Sequence, residues 1–230
     1  MLYFTGDTHG EIGRFSEEKM PGESKWGSGD VLFVCGDFGY MLLNNEKEKK
    51  YLDFLESNKP YTIAFIDGNH DNFTELNKYP CETWNGGKIH RIRKNIVHLM
   101  RGQVFEIQGK KIFTMGGAYS IDRASRALGV SYWEEELPNN DEYNEATKNL
   151  KANGMAVDYI VTHTIPQEII IRLGERPDRH DFELTGFLEW IMKDVKFEKW
   201  FFGHWHKDIL VLERDYERFY GLFHSVVKGW

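Results

Sequence analysis

Short apolar runs punctuate this chain at intervals. Leu2 to Phe4, Val31 to Cys35, Thr62 to Ile66, Lys111 to Met115, Val157 to Val161 and Lys199 to Phe202 are each rich in aromatic or β-branched residues. Their length and composition predict buried strands. Between them the apolar spacing changes to that of helices. In "NEKEKKYLDFLES" Tyr51, Leu52 and Leu55 share a face, with Asn45 as the expected N-cap and Glu48 three residues into the helix. In "NDEYNEATKNLKANG" Tyr143, Ala146, Thr147 and Leu150 do the same, and Gly154 suits the residue after the C-cap. "ELTGFLEWIMKDV" repeats the pattern through Leu184, Phe187, Leu188, Ile191 and Val195. Strands alternating with helices predict an α/β arrangement with crossover connections. "VFEIQGKKIFTM", turning at Gln108-Gly109, and "ILVLERDYERFYGLF", with a charged centre from Glu213 to Glu217, read as hairpins that make the sheets mixed. One domain over residues 1–230 is expected. The polar segment 118–153, the least strand-like, reads as an inserted lid.

The candidate chemistry sits in the tails of the strands. Leu2 to Phe4 runs into Gly6-Asp7-Thr8-His9-Gly10, and Val31 to Cys35 into Gly36-Asp37. Thr62 to Ile66 runs into Gly68-Asn69-His70-Asp71, and Val157 to Val161 into Thr162-His163. Phe201-Phe202 runs into Gly203-His204-Trp205-His206. In open α/β sheets ligands bind outside the carboxyl ends of the strands, so five distant tails are expected to meet. Asp and neutral His are oxygen and nitrogen donors for Mn, Fe, Zn or Ni. In an extended tail Asp7 and His9, or His204 and His206, would point the same way. Taken singly, Gly-Asp is an ordinary turn and His-x-His a weak signal. Five of the nine histidines in such tails is not what independent turns produce.

Composition narrows the class. With 230 residues, 41% hydrophobic and 28% charged, the chain fits a globular protein with a sizeable core. A net charge of −7 argues against coating nucleic acid or an anionic membrane by bulk charge. Two cysteines make no disulfide framework. The sequence "MLYFTGDTHG" lacks the basic start of a signal peptide, and no apolar run approaches a membrane span. A cytoplasmic location is therefore expected.

In order, Asp-x-His, Gly-Asp, Gly-Asn-His-Asp, His and Gly-His-x-His resemble the calcineurin-like metallophosphoesterase superfamily, over residues 6 to 206. The resemblance implies a four-layer α-β-β-α sandwich with two mixed β-sheets. It implies two divalent metal ions, Mn, Fe, Zn or Ni with manganese favoured. Asp7, His9, Asp37 and His206 would hold one, and Asp37, Asn69, His163 and His204 the other, with Asp37 bridging. His70 would face the leaving group as general acid, at its ordinary pKa near ~6.5. The implied reaction is hydrolysis of a phosphomonoester or phosphodiester by a hydroxide shared between the ions, which also neutralise the phosphoryl charge.

The sequence departs from the protein Ser/Thr phosphatase branch. The second motif reads Gly36-Asp37-Phe38-Gly39-Tyr40, where that branch continues to Val-Asp-Arg-Gly. The Asp that partners the catalytic His and the phosphate-gripping Arg are both missing. Replacement cations are sought in "KIHRIRKNIVHLMRG", with Arg91, and in "GGAYSIDRASR", with Arg123 and Arg126. Tyr119, Tyr132 and Trp133 are candidate stacking rings. Asp71 suits capping of "NFTELNKY", and Asp67 has no evident task. His90, His98, His180 and His224 match no motif. The expected partner is a small phosphorylated or nucleotide-like substrate. A nuclease is the alternative, with nucleic acid as substrate only. A non-catalytic protein-binding scaffold is the reading from another class, and no protein partner is identified.

Overall fold

The computed structural model describes residues 1–213 and 216–229. Arg214 and Asp215, at the centre of the second expected hairpin, lie outside the described residues. Two mixed sheets stack face to face. The first holds seven strands in the order β13-β1-β2-β3-β6-β5-β4: β1 (Leu2–Thr5), β2 (Val31–Val34), β3 (Thr62–Phe65), β4 (Cys81–Trp84), β5 (Gly87–Arg93), β6 (Ile96–Leu99) and β13 (Val227–Lys228). The second holds six in the order β11-β12-β10-β9-β8-β7: β7 (Gln103–Ile107), β8 (Lys110–Met115), β9 (Tyr159–Thr162), β10 (Lys199–Phe202), β11 (Ile209–Glu213) and β12 (Tyr216–Gly221). The centres are parallel, β1, β2, β3 and β6 in one sheet and β8, β9, β10 and β12 in the other, with antiparallel strands at the edges.

The apolar residues form three layers. Between the sheets lie Phe4, Phe33, Phe105, Tyr159 and Phe201. Outside the first sheet, α1 (Glu46–Asn58) brings Leu52 and Leu55 onto Leu32, Ile63 and Phe65. Outside the second, α3 (Asn140–Ala152), α4 (Gln167–Arg172) and α5 (Phe182–Asp194) cover Phe113, Ile160 and Trp200. The expected α-β-β-α sandwich is therefore observed. Phe4 and Phe201, one from each sheet, stack with centroids 3.8 Å apart and planes 4° from parallel.

Local signals held where side chain met backbone directly. Asn45 accepts from the amides of Lys47 and Glu48 to cap α1. Gly154, φ +68°, follows the C-cap Asn153 of α3. Gln108 and Gly109 take positive φ in the β7–β8 turn. Others shifted. The Glu48 carboxylate reaches past the cap to the amide of Leu43. Asn72, not Asp71, caps the short helix α2 (Phe73–Leu76), accepting from the amide of Glu75 at 3.0 Å. The basic run 88–102 forms β5 and β6, and most of its cations are spent on individual acids. Lys88 pairs with Glu145 at 2.6 Å, Arg91 with Glu82 at 2.8 Å and Arg93 with Asp53 at 3.0 Å. Among the described residues no helix is long and apolar enough to cross a membrane.

The Phe4–Phe201 stack joins the sheets at zero exposure. Phe201→Ala should cost about 3–5 kcal/mol. Chemical denaturation measures this, and a loss under about 1 kcal/mol would show that the inter-sheet layer repacks around the gap.

Candidate metal centre

All five polar tails meet at one end of the sandwich. Asp7 and His9 follow β1, Asp37 follows β2, and Asn69 and His70 follow β3, all in the first sheet. His163 follows β9, and His204 and His206 follow β10, in the second. Backbone hydrogen bonds knit the tails. The His9 amide donates to the Asp37 carbonyl at 2.9 Å, and Gly203 to that of His163 at 3.1 Å. Both Asp7 carboxylate oxygens accept from the His204 amide at 3.0 Å, and Asp37 Oδ1 accepts from the His70 amide at 2.8 Å.

The tails are not extended. Asp7, His9, Asp37, His204 and His206 all have left-handed φ, between 44° and 65°. Asp7 with His9, and His204 with His206, converge because the chain coils tightly, not because alternate side chains of a strand share a face. Several non-glycine residues in this sparsely populated region, gathered at one place, are the mark of a functional site. Gly68 serves by its size. A Cβ there would lie 2.2 Å from Asp37 Oδ1 and 2.8 Å from His163 Nε2. At Gly36, φ +89°, a Cβ would meet the His163 ring at 2.1 Å.

Two donor groups result. Donor atoms of Asp7, His9, Asp37 and His206 lie within 4.8 Å of one another, with His9 and His206 Nε2 only 3.0 Å apart. Beside them the Asn69 Oδ1 lies 3.0 Å from both His163 Nε2 and His204 Nδ1, and His163 Nε2 lies 3.5 Å from Asp37 Oδ1. His163 donates from Nδ1 to the Cys35 carbonyl at 2.8 Å, which leaves Nε2 as a lone-pair donor. Protonation states agree. Burial and the other histidines hold His9 and His204 down to about 4, and burial holds His163 well below its ordinary value. Burial pushes Asp7 and Asp37 well above the ordinary carboxylate range, and their mutual repulsion adds to it in Asp37. Neutral imidazoles around buried, mutually repelling carboxylates are a donor set that fits divalent cations.

A cleft of about 780 Å³ opens from this cluster. Asp37, Asn69, His70, His204 and His206 line its inner part, and Arg126, Tyr119, Ile121, Ile170 and Trp205 are among its other walls. The three candidate arginines separate here. Arg91 does not line the cleft and pairs with Glu82. Arg123 is also absent from the lining, bound to the fully buried Glu136 at 3.1 Å. Only Arg126 reaches the site, its Nη2 2.9 Å from His70 Nε2 and 3.2 Å from Nδ1, with Asp122 on its other side at 2.8 Å. Burial and this guanidinium lower His70 to about 4, below the ordinary value anticipated for it. Of the aromatic candidates, Tyr119 lines the cleft, and Tyr132 lies beneath the Arg123 guanidinium. Trp133 is buried and donates to Thr74 Oγ1, while Tyr119 stacks on His180 at 4.5 Å and carries the Arg123 guanidinium over its ring.

Asp67 and His98, which had no role in the sequence, form a buried support. Asp67 accepts from Arg101 Nε at 2.8 Å and Nη2 at 2.6 Å, and lies 3.1 Å from His98 Nε2. His98 in turn meets His90 at 3.2 Å. Arg101 also donates to the Glu135 carbonyl at 2.7 Å and to Glu142. Arg101 holds Asp67 well below the ordinary carboxylate range despite burial. Asp71 stays behind the site, accepting from the Gly68 amide at 2.8 Å. The sequence offered only an Asp after a strand and one Arg of a distant basic run, and a single sequence does not pair them.

The carboxylate shifts set a sign for stability without metal. Folded Asp7 and Asp37 keep protons that the unfolded chain releases near 3.8, so their contribution is lost as pH rises. The histidines act oppositely, but only between about 4 and their ordinary 6.5. Stability of the metal-free protein should therefore carry a component that falls as pH rises above about 3.8, and removing one carboxylate should weaken it. The melting temperature of chelator-treated Asp37→Asn should fall less with rising pH than that of wild type, and manganese should raise the melting temperature of wild type. A flat profile would show that the pair ionises together without cost.

A search of curated proteins found no match. Among solved structures the fold is similar to the crystal structure of a phosphopantetheinyl hydrolase from Mycobacterium tuberculosis, with 15% identity, a TM-score of 0.46, and coverage of 96% of this chain and 89% of that one. The family model of the calcineurin-like phosphoesterases matches residues 2–208, and the chain belongs to that family.

Proposed function

We propose that the protein is a dinuclear metal-dependent phosphoesterase that hydrolyses a small phosphomonoester or phosphodiester. The observation that carries this reading is the pair of adjoining donor groups that share Asp37. Asp7, His9, Asp37 and His206 would hold one divalent ion, and Asp37, Asn69, His163 and His204 the second. When bound, two such ions supply an activated water and neutralise charge on the phosphoryl oxygens. Manganese is the favoured ion.

The chain's own residues do the rest. Arg126 reaches into the cleft beside Asp37, Asn69 and His70, where a guanidinium can take two phosphate oxygens. It replaces the arginine missing after Asp37. His70 stands at the same wall, poised over the leaving oxygen. Before substrate binds, burial first and Arg126 second lower its pKa and favour the neutral ring. A bound phosphoester brings negative charge next to the imidazole and draws the guanidinium to itself. Both changes favour the protonated ring, which can then donate to the departing oxygen. The outer cleft also carries Asp122, Glu175, Asp178 and Asp181 with Arg176 among them, an excess of acid although Asp122 pairs with Arg126 and Glu175 with Lys207. Carboxylates along the walls favour a substrate with one phosphate over a polynucleotide.

Asp37→Asn should abolish activity and lower metal content together, since one carboxylate serves both donor groups. His70→Asn should retain the metals and lose about 10²–10⁴-fold in turnover. Bis-p-nitrophenyl phosphate and p-nitrophenyl phosphate, assayed with manganese and with chelator, separate diesterase from monoesterase. Full activity in Asp37→Asn, or activity unaffected by chelator, would overturn the proposal.

A further inference from the structure

We propose that Ser120 is the positioning residue that turns the Asn69 amide oxygen toward the metal centre, so that the second ion depends on the segment following β8. The inference rests on the two-ion reading above. An asparagine ligand has a weakness that aspartate lacks: its two ends are nearly the same shape, and only the oxygen binds a cation. Something must distinguish them.

The surroundings of Asn69 do so. Its Nδ2 donates to Ser120 Oγ at 3.0 Å, while Oδ1 faces His163 Nε2 and His204 Nδ1. Ser120 is fully enclosed, and its hydroxyl is used to capacity. It donates to the Asn69 carbonyl at 3.4 Å and accepts from the Asn69 amide and from Arg126 Nη1 at 3.3 Å. With its proton on the carbonyl, Oγ offers lone pairs, which an NH₂ group satisfies and an amide oxygen does not. The hydroxyl is itself held from behind. The Ser120 amide donates at 3.2 Å to Glu136, a fully buried carboxylate that also takes the amide of Trp133 and the guanidinium of Arg123. A relay thus runs from Glu136 through Ser120 to Asn69. The same hydroxyl steadies Arg126 against His70. One side chain outside the metal motifs therefore sets both a ligand and the cation beside the reacting group.

The test is a double-mutant cycle read by manganese binding. Wild type, Ser120→Ala, Asn69→Asp and the double variant are titrated with Mn²⁺ by calorimetry, with electron paramagnetic resonance reporting the spin-coupled pair. Ser120→Ala should weaken the second ion about 10–100-fold and leave the first unchanged. An aspartate presents an oxygen whichever way it turns, so in the Asn69→Asp background the same Ser120→Ala change should cost less than about threefold. An equal loss in both backgrounds would overturn the proposal, since it would mark general loosening. Wild-type affinity in Ser120→Ala would overturn it too. Thermal melting of the metal-free variants checks folding, and Ser120→Cys, which keeps the volume, replaces alanine if that variant melts early. A wild type that binds a single ion would instead defeat the two-ion reading, and the two failures are told apart by the first titration.

Discussion

Everything at this centre follows from burying Asp7 and Asp37 side by side. Two carboxylates removed from water repel each other strongly, and the interior screens little of that repulsion. The fold answers with fixed hydrogen bonds. The His204 amide meets both oxygens of Asp7, and the His70 amide meets Asp37. These bonds require the chain to bend back on itself immediately after each strand. That requirement accounts for the left-handed backbone at five candidate ligands. It also accounts for glycine at positions 36 and 68, where a methyl group would strike the histidine ring or the carboxylate. Repulsion, hydrogen bonding and backbone strain are then three aspects of one arrangement, and a divalent cation is the counter-charge it suits.

The second level of organisation lies behind the ligands. Arg101 and His98 clasp Asp67 at the end of β3, and the Gly117 amide donates to its carbonyl at 3.0 Å. Glu136 gathers Ser120, Trp133 and Arg123. The segment after β8 is thereby bonded to the strand that presents Asn69 and His70. It forms a wall of the cleft at Tyr119, Ile121, Asp122 and Arg126.

The central strands and the long helices were legible because each has one dominant signal: an apolar run, a helical spacing, or an Asn cap. β10 runs from Lys199 to Phe202 as expected. The strand β5 was hidden because Lys88, Arg91 and Arg93 interrupt its apolar pattern, and each finds an acid on another element, while β4 and β6 beside it are only four residues long. The eight candidate residues of the metal centre were visible because they cluster in short motifs at strand ends. Their support was not. Ser120, Arg101 and Glu136 act on residues 34 or more positions away or through each other, and neither spacing nor composition encodes those meetings. The same limit explains the arginines. Three looked alike in the sequence, and only the partners Glu82, Glu136 and His70 tell them apart.

Each donor group draws from both sheets. His206 from the second sheet joins Asp7, His9 and Asp37 from the first, and His163 and His204 join Asp37 and Asn69. The centre is thus a seam between two halves that the apolar layer, with its Phe4–Phe201 stack, already packs together. An ion held across that seam would act as a rivet, tying the docking of the sheets to ligand geometry, since neither half alone presents a complete donor group.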